Sequence, residues 1–346
     1  MKLGTALALL GGVVLLGLAL HAWWTTRRAR PRQAVADESA TSERHEPPLE
    51  AQSTLPGELP EGVASARARR LPRLDALIDA IVTLRLDAPV TGEHVLQHLP
   101  ATRRAGGKPF YIEGLDTETA QWEPPQAGHR YGELQAGVQL ANRGGPLSEI
   151  EYSEFVQKVQ AFAEGVGAVA ELPDMLEVVA RARELDALAA PLDAQLSVTL
   201  RSNGVAWSVG FVQQVAARAG LVAGATPGRW VLPSAEDGAP PMLVLSVDAQ
   251  AALAAEAEQP QAAVVREAQL ALDVPQTPAS VEPFPAWHLM SRKLCSELDA
   301  TAVDDQGQPI SLHALDAIGR EIDELYRRLE QLDLAAGSPA ARRLFA

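Results

Sequence analysis

Apolar residues in the C-terminal part of the chain follow first the period of a strand and then that of a helix. Over residues 268–275, Leu270, Leu272 and Val274 fall on one side of an alternating run, which is typical of a half-buried strand. Two apolar stripes with helical spacing follow, at Trp287, Met290, Leu294 and Leu298 and at Leu312, Leu315, Ile318, Ile322, Leu325 and Leu329. Between the stripes, residues 301–310 predict a short strand and a turn, and Ser311 is placed to cap the last helix. The block over residues 268–332 is therefore half of a split β-α-β module.

The globular pattern begins at about residue 77. Strands are predicted over residues 81–86, 110–113, 133–142 and 169–172, and helices over residues 91–99, 152–165 and 175–188. After these come a helix over residues 208–219 and strands over residues 229–232 and 242–248. Residues 249–263, rich in Ala, Glu and Gln, are interpreted as an insert.

Two passages recur in the same order along the chain. Val82-Thr-Leu-Arg85 returns as Val198-Thr-Leu-Arg201, each time at the end of a strand that leads into a helix. Residues 162–171 are likewise similar to residues 294–304. Two matching passages in one order favour duplication of a βαββαβ-type module.

The N-terminal stretch from Leu3 to Trp24 predicts a membrane anchor, because it is uncharged and has the length of about 20 residues that crosses a bilayer. One lysine precedes this stretch, and four arginines follow it, namely Arg27, Arg28, Arg30 and Arg32. By the positive-inside rule the C-terminal part then lies in the cytoplasm. The alternative is a cleaved signal peptide, but Leu20-His21-Ala22 lacks the usual small-residue cleavage pattern. The following segment lacks apolar periodicity and is predicted to be disordered.

Charge and composition exclude several classes of protein. The chain carries 44 acidic and 30 basic residues, a formal net charge of −14, which disfavours nucleic-acid binding. The single Cys295 rules out an internal disulfide framework and a cysteine zinc cluster. It lies in a predicted amphipathic helix, where a small buried thiol is expected.

The histidines and the cysteine do not form a recognisable catalytic or metal-binding pattern. His94 and His98 have the spacing of a metal-binding helix, but Val95 stands where a zincin has its glutamate, so solvated histidines are expected. His288 and Cys295 are too far apart on one helix to form a base–nucleophile pair. We therefore expect no enzyme activity, no cofactor and no metal site.

The C-terminal block resembles the end of the FtsZ-binding domain of the ZipA family of bacterial cell-division proteins. The resemblance rests on the strand ending in Val274-Pro275, on the helix leading into Leu298-Asp-Ala-Thr-Ala-Val-Asp-Asp305, and on the closing helix. It extends over residues 192–332, while residues 75–190 are at most a degenerate relative. The resemblance implies that one face of the sheet binds the C-terminal tail of FtsZ.

The pattern of the strand over residues 242–248 predicts which side chains form such a face. Leu243, Leu245 and Val247 should contact the helices, whereas the alternate positions should face away from them. The predicted partner-binding residues are Trp230, Leu232, Met242, Val244, Ser246 and Ala271. Alternatively, the insert or the first module covers this face.

The combined expectation is an α+β protein with one transmembrane helix and two tandem split β-α-β modules, whose antiparallel sheets are covered by helices on one face. The predicted segments are an anchor (residues 1–26), a disordered linker (27–74), a degenerate ZipA-like module (75–190), a ZipA-like FtsZ-binding module (191–334) and a flexible tail (335–346). The expected function is to tether FtsZ to the cytoplasmic face of the inner membrane. An envelope-side protein that binds peptide or glycan is the alternative, and the oligomeric state stays open.

Overall fold

A computed structural model describes residues 73–236, 238–257 and 263–346, which belong to a single compact unit. The predicted anchor and nearly all of the predicted linker lie outside these residues. Within them, no helix has the length and apolar character needed to cross a membrane.

The first half of the described chain builds a six-stranded antiparallel sheet. Its elements are β1 (Asp79–Thr91), α1 (Gly92–His98), β2 (Arg104–Ala105), β3 (Lys108–Asp116), β4 (Trp122–Glu123), β5 (Arg130–Gln139), β6 (Ala141–Asn142), β7 (Gly145–Pro146), α2 (Glu149–Val166), β8 (Ala168–Glu171) and α3 (Met175–Ala189). The strand order is β2-β3-β5-β1-β8, with β4 paired to β3 and with β6 and β7 forming a separate hairpin. Ala80, Val82 and Leu84 of β1 are fully buried, as the alternation of that strand predicts.

The second half builds another six-stranded antiparallel sheet. Its elements are β9 (Gln195–Ser202), β10 (Trp207–Ser208), α4 (Val209–Ala219), β11 (Val222–Ala223), β12 (Arg229–Leu232), β13 (Leu243–Ser246), α5 (Ala249–Glu256), β14 (Val264–Val265), β15 (Glu267–Asp273), α6 (Pro283–Leu298), β16 (Ala300–Val303), α7 (Leu312–Gln331) and α8 (Pro339–Leu344). The order is β11-β12-β13-β15-β9-β16, and β10 pairs with β14 apart from the sheet.

Helix α6 packs on one face of the second sheet. The indole N–H of Trp287 donates to the carbonyl of Leu270 in β15 at 3.2 Å, and Leu294 of the same helix is fully buried. The N-terminal cap predicted for α7 is confirmed, because the hydroxyl of Ser311 accepts an N–H group of the first turn, and Ser208 caps α4 in the same way. The fold is thus α+β with antiparallel sheets, as expected.

The two sheets share one strand order. Four strands of the first sheet lie in the order β3-β5-β1-β8, and four of the second sheet lie in the order β13-β15-β9-β16. In both sheets the strand that comes first along the chain lies third in this row, between the third and the fourth strands. Thr83 of β1 lies opposite Gln135 of β5, and Thr199 of β9 lies opposite Gln269 of β15. The repeated Val-Thr-Leu-Arg runs therefore occupy matching positions in the two sheets.

Two predictions about connecting segments are wrong. Residues 335–346, predicted to be a flexible tail, include α8, whose Leu344 is buried together with the following Phe345. Leu74, at the end of the predicted linker, donates its N–H to the Glu113 carboxylate at 3.1 Å and so lies against the first sheet. The insert, for which no conformation was predicted, begins with α5, which packs its Ala251 and Ala252 side chains inward. Each segment gains order from burial that its own short sequence does not reveal.

Candidate docking face of the second sheet

Strand pairing assigns the side chains of the second sheet to its two faces. Trp230 lies opposite Leu245, which lies opposite Leu270, and directly paired residues project to the same side. This is the face that α6 covers. The other face therefore carries the row Val231, Val244, Ala271 and Ser197, which are likewise paired one to the next.

Three of the six predicted residues have the orientation that was expected. Val244, Ser246 and Ala271 are half-buried and alternate with the buried residues of β13 and β15. Met242 precedes β13 and is also half-buried, but it lines a separate cavity of about 230 Å³ together with Leu232. Whether any of these residues binds a partner stays a prediction.

The placement of Trp230 and Leu232 is a correction. Trp230 is only 5% exposed and lies opposite Leu245, while Leu232 lies opposite Leu243, so both belong to the helix-covered face. Consecutive large apolar residues in β12 gave no alternation from which to choose a face. Val231 is the residue of this strand that the prediction missed, and only the register of the β12–β13 hairpin identifies it.

Val231 and Val244 form the floor of a groove of about 570 Å³. One wall is the turn between β11 and β12, with Ala225 and Thr226, and the other is the loop after β12, with its prolines Pro233 and Pro241. We call this space the second-sheet groove. An apolar floor between walls of backbone and proline suits a peptide side chain better than a small polar metabolite.

Charged groups lie at the edge of the second-sheet groove. Arg229 lines it and is exposed, and Glu236 stands in the opposite wall. The Glu236 carboxylate accepts a hydrogen bond from Arg342 of α8 at 2.7 Å, and this contact lowers its pKa below the usual value. Because Glu236 is already paired, Arg229 is the groove cation that is placed to meet an incoming carboxylate.

The corresponding face of the first sheet holds segments of the chain itself. Tyr111 of β3 lies opposite Gly137 of β5, just as Val244 of β13 lies opposite Ala271 of β15. Tyr111 and Val244 therefore occupy equivalent positions in the two sheets. The guanidinium of Arg343 lies 4.9 Å from the centre of the Tyr111 ring, and the side chain of Leu74 lies over Gly137. The same kind of face is thus filled in the first sheet by chain segments.

Among the described residues, one cluster has the composition of a metal site, and sequence reasoning missed it. His129 Nδ1 lies 3.1 Å from Asp116 Oδ2 and 2.7 Å from Glu123 Oε1, and Tyr131 donates its hydroxyl to Glu123 at 2.9 Å. The other oxygen of Asp116 accepts backbone N–H groups of the following turn. These donors satisfy the carboxylates without a metal, so the cluster is explained as a fixed turn.

Cys295 is half-buried, and the two histidines contact each other within α1. Burial raises the pKa of the half-buried Cys295 thiol, which disfavours the nucleophilic thiolate. The Nδ1 of His98 lies 2.8 Å from the carbonyl oxygen of His94, a contact within one helix turn.

No protein family and no curated protein matches this chain.

Proposed function

We propose that this chain is a membrane-attached docking protein whose second-sheet groove binds an amphipathic peptide tail. The observation that carries the proposal is the apolar row of Val231, Val244 and Ala271 on the face opposite the helix-covered core, in which Val231 and Val244 form the floor of a groove of about 570 Å³. An apolar row of this kind is the surface on which a peptide lays alternate or helical side chains.

The resemblance of residues 192–332 to the ZipA family supports the C-terminal tail of FtsZ as the partner. The six-stranded second sheet with its helices is compatible with that resemblance. The matching strand orders of the two sheets further support a duplication, with the first sheet as the diverged copy. We propose that this first copy has its own docking face closed by the chain.

Attachment to the bacterial inner membrane raises the local concentration of the binding domain, so that a weak contact is enough for tethering. A flexible chain of about 40 residues has a root-mean-square span of roughly 35 Å, which keeps an attached domain concentrated near a bilayer. A micromolar contact then suffices to hold a filament there. A C-terminal reporter fusion tests the side of the membrane, since phosphatase activity outside the cytoplasm contradicts the tethering function.

Binding of a fluorescent FtsZ tail peptide to the full-length protein tests the partner. Val244→Glu should raise the Kd measured by fluorescence anisotropy more than tenfold, because each lost large contact costs about 1–3 kcal/mol. Leu289→Glu is the matched control, since Leu289 is an exposed apolar residue of α6 on the helix side. Equal binding by wild-type and Val244→Glu protein places the groove elsewhere, and no binding by the wild type removes FtsZ as partner.

A further inference from the structure

The face of the first sheet that corresponds to the docking face carries buried polar side chains. Asp79, Glu113 and Gln139 come from three different strands and are each only 1% exposed. Buried polar groups are costly unless they are hydrogen-bonded. Their partners therefore show what this face is built to hold.

The two ends of the described chain supply several of these partners. Glu113 accepts the backbone N–H groups of Arg73 and Leu74. Gln139 donates its amide N–H to the backbone carbonyl of Arg343 at 2.7 Å. These contacts of Glu113 and Gln139 to the two end segments are to main chain, while the sheet itself adds a hydrogen bond from the Gln135 amide to Glu113 at 3.0 Å.

The side chain of Arg343 is held by two other side chains. Both of its terminal nitrogens donate to the Asp79 carboxylate, one at 2.8 Å, and its guanidinium lies over the ring of Tyr111. A buried carboxylate that accepts two parallel N–H groups beside an aromatic ring matches a planar guanidinium and not a lysine ammonium.

We propose that this face of the first sheet is a peptide-binding site specific for arginine, and that the C-terminal segment over residues 337–346 fills it as a displaceable plug. The neighbouring Arg342 has a different role, because it pairs with the exposed Glu236 on the other half of the protein. Recognition therefore depends on one of two adjacent arginines.

The plug is helical only where it is docked. Helix α8 has six residues, too few to be stable alone, so its helical form depends on burying Ala341, Leu344 and the following Phe345 against the rest of the chain. The segment leading to it is exposed at Asp333 and Ala335. Burial raises the pKa of Asp79 although Arg343 opposes the rise, so a guanidinium at this position favours the charged carboxylate.

Peptide exchange into the folded full-length protein tests this site. A protease recognition sequence inserted at Ala335 is cut after folding, and a fluorescent peptide of residues 336–346 is added. The cut protein should bind the peptide and release its own fragment, while the uncut protein should bind little. The Arg343→Gln peptide should bind at least about tenfold more weakly, which corresponds to 1.4 kcal/mol. The Arg342→Gln peptide, the matched control, should stay within about twofold of the wild type.

Three outcomes overturn the proposal. If the cut protein keeps its fragment at every peptide concentration, the segment is a permanent part of the core. If circular dichroism shows that cutting unfolds the protein, the segment is likewise structural and not a plug. If the two glutamine peptides lose equal affinity, the site does not select Arg343.

Discussion

Gln135 and Gln269 hold the same position in two different sheets. Gln135 lies opposite Thr83, and Gln269 lies opposite Thr199. The glutamates two residues earlier in each strand face the two arginines that end the repeated Val-Thr-Leu-Arg runs. Each Val-Thr-Leu-Arg run is thus paired with a Glu-x-Gln run of the neighbouring strand. This second similarity is too short to notice in the sequence and becomes visible only through the strand register.

The correspondence extends to the helix ends that precede β8 and β16 and makes a prediction about stability. Gly167 ends α2 at φ 72° and Asp299 ends α6 at φ 50°, so both caps are left-handed. Gly167→Ala should lower the free energy of unfolding by about 1–2 kcal/mol, because no atom lies near the added Cβ and the cost is purely conformational. Urea denaturation measures the loss.

Gly204→Ala is the control for that change. A Cβ added at Gly204 would also meet open space, and the φ of Gly204 is not in the left-handed region. We expect no loss there, and an equal loss at both glycines contradicts the argument from cap geometry.

The two faces of β13 make a second prediction. Leu245 is fully buried under the helices, so Leu245→Glu should cost more than about 4 kcal/mol and unfold the protein. Val244 is half-buried on the other side, so Val244→Glu should keep the fold. Circular dichroism and thermal melting separate the two variants. An unfolded Val244→Glu protein together with a folded Leu245→Glu protein means that the docking face is assigned to the wrong side.

The sequence predicted those two faces because Leu270 and Leu272 of β15 alternate with small or polar residues, and because Ser246 marks the opposite side of β13. Leu243 and Leu245, like Leu270 and Leu272, are spaced by two residues and are all buried. Such alternation needs no knowledge of neighbouring strands. The face of each residue in these strands could therefore be predicted correctly.

Where alternation is missing, the face depends on distant contacts. In β12 the neighbours Trp230, Val231 and Leu232 are all apolar, and their orientation follows from pairing with β13 across a long loop. Helix α8 was missed for a similar reason, since Arg343 finds its partner Asp79 at the opposite end of the described chain. Local patterns carry no information about such pairs.

Glu151 makes a prediction about pH. Burial alone raises the pKa of this carboxyl, but N–H groups of Ser148 and Gly107, the Ser148 hydroxyl and the charge of Lys108 outweigh burial and hold the pKa below its usual value. A lowered folded-state pKa means that the stabilisation is present above the unfolded-state pKa near 4.5 and is lost as pH falls through the folded-state value.

Glu151→Gln should therefore lower the free energy of unfolding by about 0.5–2 kcal/mol at pH 7, the usual range for a helix cap. The difference from wild type should shrink as pH falls below the normal glutamate range. Chemical denaturation from pH 7 to pH 3 measures it. Glu184→Gln, at an exposed site in α3, controls for the change in net charge, and a deficit that is constant with pH rules out the carboxylate as its source.

Arg143 makes the last prediction, because it joins the two halves of the described chain. Its side chain lies in the turn between β6 and β7 and contacts Asp193 at 2.6 Å and Asp273 of β15 at 2.7 Å. Arg143→Gln should lower the free energy of unfolding by about 1 kcal/mol, and the loss should be smaller in 1 M salt because these carboxylates are partly exposed.

Arg85→Gln is the control, since Arg85 pairs with Glu171 within one sheet and both side chains are well exposed. We expect its loss to be below about 0.5 kcal/mol. Urea denaturation followed by tryptophan fluorescence compares the two variants, and equal losses mean that the contact between the halves contributes nothing beyond an ordinary surface ion pair.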